Sequence, residues 1–130
     1  MIAVDTNVVV RVLTNDDPTQ ARRALRRMRT ETVWVSRTVV LETEWVLRYA
    51  YALDTEAVAS ALTALLGVPS IEVEDRAAVL QAIAWHVAGM DFADALHLAA
   101  SGTSSAFVSF DRALAKVAKR AGALPQIVEP

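Results

Sequence analysis

Asp5, Glu42, Asp94 and Asp111 are the side chains whose surroundings call for chemistry. Asp5 ends the apolar run Ile2-Ala3-Val4, which reads as a buried strand delivering a carboxylate at its carboxyl end. An acid there also serves as a turn or helix cap, and the residue alone does not choose between the two. Asp94 lies within Phe92-Ala93-Asp94-Ala95-Leu96, where a carboxylate among small and apolar neighbours must be compensated by a partner or a metal ion. Asp91, three positions earlier, either caps free N–H groups at the start of the same helix or adds to the acidic group. Glu42 and Glu44 share a helix, and at about 100° per residue they point roughly 200° apart, so at most one faces a common site. Val39, Thr43, Val46 and Ala50 define an apolar face with Glu42 on its margin. Glu44 is expected on the far, solvated side, paired with Arg48 four residues on, an exposed contact worth about 0.3 to 0.5 kcal/mol. Glu42 is then the candidate ligand.

Four carboxylates brought together repel by roughly 3 kcal/mol per close pair at an effective dielectric near 20, and only cations offset that. Hard oxygen donors suit Mg2+ or Mn2+, which keep several waters and bind phosphate oxygens. The implied reaction is phosphodiester hydrolysis, with Asp5, Glu42 and Asp94 on a principal ion and Asp111 on a second ion or the attacking water. His86 and His97 lack ligand spacing and read as structural or surface residues. The chain has no cysteine, which excludes disulfides, thiolate metal sites and cysteine nucleophiles and fits a cytoplasmic setting. A formal net charge of −2 is low for a nucleic-acid binder, but two divalent ions in an acidic quartet reverse its sign.

The elements that must position these residues are short. With 130 residues the chain has the length of one domain, so a single domain over 1–130 is expected to carry the site. Strands are predicted at Ile2–Val4, Val33–Val35, Ile71–Val73, Ala106–Ser109 and Gln126–Val128. Helices are predicted over 7–13, from Pro18 to Arg29, and over 38–51, 55–66, 75–87, 91–101 and 111–121. Strands alternating with helices indicate an α/β sandwich with a mainly parallel central sheet and helices on both faces, with ligands gathering at the strands' carboxyl ends. Asp5, the helix after Ser36 and Asp111 all leave strands at that edge. No apolar stretch approaches the roughly 20 residues of a membrane span, and the acid in MIAVDTN is unlike a signal peptide.

The segments IAVDTNVVV at 2–10, VSRTVVLETEWVL at 35–47, FADALHLAA at 92–100 and FVSFDRAL at 107–114 together resemble the PIN domain, and within it the VapC-type toxins. The resemblance implies a PIN-like three-layer sandwich and places that family's acidic quartet on Asp5, Glu42, Asp94 and Asp111. Thr6, Asn7 and Ser109 match positions beside the metals, where they bond waters or carboxylates; capping is the other account of them. It also implies Mg2+- or Mn2+-dependent endonucleolytic cleavage of RNA, often structured RNA such as tRNA, homodimerisation, and a cognate VapB-type antitoxin. A non-catalytic PIN-like module that binds RNA or acts as a scaffold is the alternative, which the presence of all four acids opposes. Phosphatases of the haloacid-dehalogenase type also begin with an acid after a first strand but need a second Asp two positions later, where this chain has Asn7.

Arg22, Arg23, Arg26, Arg27 and Arg29 make one helix strongly basic, either a solvated face or a contact with RNA phosphates. Arg22, Arg26 and Arg37 are the candidate RNA ligands, while Lys116, Lys119 and Arg120 form a smaller patch. Leu41, Trp45 and Tyr49, at i, i+4 and i+8, form a stripe that reads either as core or as a dimer or antitoxin contact.

Overall fold

Burial of Val33 and Val35 on one strand, with Val9, Val10, Val40 and Leu47 on two helices, is what organises the first half of the chain. In the computed structural model, which describes residues 1–130, the backbone divides into two compact units, Met1–Arg76 and Ala77–Pro130. The first unit contains β1 (Ile2–Ala3), α1 (Thr6–Thr14), α2 (Pro18–Thr30), β2 (Val33–Val35), α3 (Arg37–Tyr49), α4 (Thr55–Leu66) and β3 (Ile71–Val73). Its strands pair in the order β1-β2-β3, all parallel, with Ile2 opposite Val33 and Val35 opposite Val73. Helices α1 and α2 pack on one another, and α3 packs on both α1 and α4.

The second unit holds α5 (Arg76–Val87, entered from the last residue of the first), α6 (Phe92–Ala99), β4 (Phe107–Val108), α7 (Arg112–Ala121) and β5 (Ile127–Val128). β4 and β5 pair in parallel, Phe107 opposite Ile127. The buried Val79, Ala82, Phe92 and Leu98 form its core. His86 belongs to this packing, as its sequence setting suggests: its Nδ1 lies 2.7 Å from the Met90 carbonyl and its ring meets Phe92 edge-on. No helix is long and apolar enough to cross a membrane.

The alternating α/β order and the parallel pairing agree with the sequence reading; β2 and β3 have the expected bounds, and β1, β4 and β5 are a residue or two shorter. The pairs form a three-stranded and a two-stranded sheet. Helix starts follow the chain's polar punctuation closely. Asp5, Asp17, Ser36, Asp54, Asp91 and Asp111 each stand at an N-cap, and each side chain accepts a backbone N–H from the first turn. Such caps satisfy donors that a helix cannot pair internally, typically worth about 1 kcal/mol each. Gly122, at φ 67°, ends α7 in the left-handed conformation that glycine adopts without steric cost.

One expectation fails on α3. The buried positions are Val40, Thr43, Glu44 and Leu47, so the helix turns a different face inward from the one through Val39, Val46 and Ala50. Glu44 is therefore not a solvated side chain but 2% exposed. Its carboxylate is held by Arg48, which donates to Oε2 at 2.8 Å and to Oε1 at 3.2 Å. Burial was possible because the neutralising cation lies one helical turn away, where Arg48 also stacks over the Tyr49 ring.

Candidate functional site

The candidate carboxylates fall two in each unit, Asp5 and Glu42 in the first, Asp94 and Asp111 in the second. Asp5 follows β1 and caps α1, its Oδ1 accepting from the Val8 N–H at 3.1 Å. Capping uses that oxygen and leaves Oδ2 without a hydrogen bond, so the cap and a ligand role are compatible in one side chain. Thr6 is buried at the first position of α1, and Asn7 lines a groove that also touches Arg23 and Arg26 of α2. Glu42 is exposed on α3, on the face opposite Glu44 and Leu47.

In the second unit the acids influence one another directly. Asp91 caps α6 by accepting the Asp94 N–H at 3.1 Å. Asp94 follows one turn inside the helix, among the buried Phe92, Ala95 and Leu98. Burial first, and then the charges of Asp91 and Asp111, push its carboxyl above its ordinary value, with His97 opposing weakly. No hydrogen bond stabilises the ionised form. Asp111 caps α7 by accepting from the Leu114 N–H at 2.9 Å, and its own N–H donates to the Ser109 hydroxyl at 3.0 Å. Ser109 thus forms the turn that aims Asp111 off the end of β4.

Within neither unit do three acidic or histidine side chains converge tightly enough to enclose an ion. What the second unit does present is a half-buried carboxylate with two anionic neighbours and no hydrogen-bond donor, which is the donor chemistry that a hard divalent ion satisfies. Such ions accept a few carboxylates and complete their shells with water, so a partial cage suffices.

The basic candidates differ in their freedom. Arg22 and Arg26 are exposed on α2 and make no ion pair, whereas Arg27 pairs with Glu31 at 2.9 Å. Arg37 is engaged within the first unit, 3.7 Å from Glu74 and 3.3 Å from Asp75, and its backbone N–H donates to Glu74. Glu74 and Asp75 belong to none of the acidic motifs in the sequence, although β3 runs into them as β1 runs toward Asp5. Trp45 and Tyr49 are not core: they are 53% and 64% exposed, their rings 4.9 Å apart.

A family model described as the PIN domain matches residues 2–120. No curated protein sequence matches the chain. Three chains among solved structures match. One is the Mycobacterium tuberculosis toxin VapC20, described as cleaving the sarcin-ricin loop, at 22% identity and a TM-score of 0.45, over 95% of this chain and 97% of that one.

Proposed function

We propose, from the premise that this chain belongs to the PIN-domain family of nucleases, that it is an endoribonuclease of the VapC toxin type, dependent on Mg2+ or Mn2+ and restrained by a cognate VapB-type antitoxin. The observation that carries the reading is the span of the family match: residues 2–120 include all four carboxylate-bearing segments, so Asp5, Glu42, Asp94 and Asp111 are assigned together as ligands. The same uninterrupted span supports treating the whole chain as one PIN domain. A divalent ion bound to such carboxylates lowers the pKa of a coordinated water and neutralises charge on the scissile phosphate.

The chain's own residues have separable tasks. Asp94 brings a carboxylate whose ionised form is destabilised by its surroundings, so its negative charge is available to a cation and not spent on a protein donor. Asp5 and Asp111 present their free Oδ2 atoms from helix caps, which fixes their orientation before anything binds. Glu42 reaches out from the exposed face of α3. Asp91 holds the first turn of α6 and so orients Asp94, Ser109 supports the turn that carries Asp111, and Thr6 and Asn7, which follow Asp5 in the first turn of α1, are assigned to the surroundings of the ion. Arg22 and Arg26, free of acids, are assigned to the phosphates of the RNA, which in this family is often structured RNA such as tRNA. Arg37, held by Glu74 and Asp75, is assigned to the margin of that contact. The exposed Trp45–Tyr49 pair supports homodimerisation, and the nuclease is assigned to the cytoplasm.

The test is cleavage of RNA by the purified chain with Mg2+ or Mn2+. Activity is expected with either ion, none with EDTA, and a near-complete loss in Asp94→Asn. Cutting that survives both chelation and the substitution sinks the assignment. RNA binding with no cleavage under any metal would favour the non-catalytic module instead.

A further inference from the structure

Helix α7 starts at Asp111 and carries Arg112, Lys116, Lys119 and Arg120 with no acid among its residues. At about 100° per residue these four cations share one side, opposite the buried Leu114 and Ala118. The helix dipole accounts for Lys119 and Arg120, which lie in the last turn. It does not account for Lys116 in mid-helix or for Arg112 in the first turn, where a cation opposes the dipole. Only Arg112 is paired, with Glu129 at 2.8 Å. Beside this face lies a groove of about 590 Å3 lined by Lys116, Lys119, Gly122, Leu124 and Gln126. At the other end, immediately before Asp111, Phe110 is 84% exposed.

We propose that Phe110 and the cationic side of α7 form a seat for single-stranded RNA leading away from Asp111, with an unpaired base stacked on Phe110 and the backbone phosphates on Lys116 and Lys119. The inference rests on the RNA reading above and adds a path for the strand. Lys116 stands about 7.5 Å along the helix from Asp111 and Lys119 about 4.5 Å further, so the cations begin beside a candidate site carboxylate and continue from it. An aromatic face followed by a run of cations is how sequence-tolerant single-strand binders hold a base and its phosphates. An acidic protein segment would suit the lysines but gives no role to an aromatic ring next to Asp111.

The experiment measures binding of a fluorescein-labelled twelve-nucleotide oligouridylate by anisotropy in EDTA, across a potassium chloride series. In the double variant Lys116→Ala/Lys119→Ala the slope of log affinity against log salt is expected to fall by about 1.4, about 0.7 for each single-strand phosphate that the protein no longer neutralises. Lys116→Arg/Lys119→Arg keeps the slope. Phe110→Ala weakens binding about tenfold at every salt concentration and leaves the slope unchanged. Manganese-dependent hydrolysis of bis-p-nitrophenyl phosphate, which lacks the further phosphates that Lys116 and Lys119 would hold, stays at the parent level in both lysine double variants. An unchanged slope in the alanine double variant overturns the proposal. So does an unchanged slope together with lost binding of polyglutamate, which would give the groove to an acidic protein segment. Absence of hydrolysis in the parent chain bears on the nuclease reading and leaves the binding result to be judged separately.

Discussion

Asp94 is the residue at which environment and charge conflict most. Its folded pKa is raised by burial and by Asp91 and Asp111, so the folded state binds its proton more tightly than the unfolded chain does. A carboxyl shifted upward contributes stability below its unfolded pKa and loses it as pH rises through the folded value. At neutral pH the charged side chain is therefore a cost. In metal-free buffer Asp94→Asn should melt above the parent at pH 7, and the difference should vanish near pH 3, below the ordinary aspartate value of about 3.9. Thermal scans at the two pH values decide this, and a variant that melts lower at pH 7 contradicts it. Glu44 resolves a similar conflict differently: its buried charge is answered inside the chain by the two hydrogen bonds from Arg48.

At the scale of elements, α3 shows how one helix serves two surfaces. Val40, Thr43, Glu44 and Leu47 face inward, while Glu42, Trp45 and Tyr49 face solvent. Two adjacent exposed aromatic rings leave apolar area in water, the composition from which interaction surfaces are built. If this stripe joins two copies of the chain, Trp45→Glu with Tyr49→Glu should convert a dimer to a monomer in sedimentation, with the far-UV circular dichroism unchanged because neither ring is buried within the chain. A parent that sediments as a monomer, or a variant that remains a dimer, removes α3 from that role. The sequence does not single out the inward face because α3 has apolar residues on three sides. Val39 and Val46, Val40 and Leu47, and Leu41 with Trp45 are each spaced for burial. Which side turned inward was decided by α1 and α4, the helices that cover it.

At the scale of the whole molecule, treating residues 1–130 as one domain predicts a single cooperative unfolding transition, although the backbone divides at Arg76. Far-UV circular dichroism follows both units, and fluorescence of a Trp85→Phe variant follows only Trp34 and Trp45 in the first. The two curves should coincide; separated midpoints would mean that the units unfold independently. Much of the molecule is written locally. Asp17 before Pro18, Ser36 before α3 and Gly122 after α7 announce helix ends because caps and left-handed turns are decided by the residues that form them. The apolar Val33–Val35 and Ile71–Val73 are legible as strands for the same reason, and the four acidic segments are visible as motifs. Tertiary structure decided what depends on the surface opposite: that Glu44 is buried and Trp45 exposed, and that Arg37 is held by Glu74 and Asp75 from beyond β3. Spacing along a chain orders residues around their own helix, but which face is buried depends on the other elements packed against it, and Arg37 finds its partners more than thirty positions away, which no local pattern encodes.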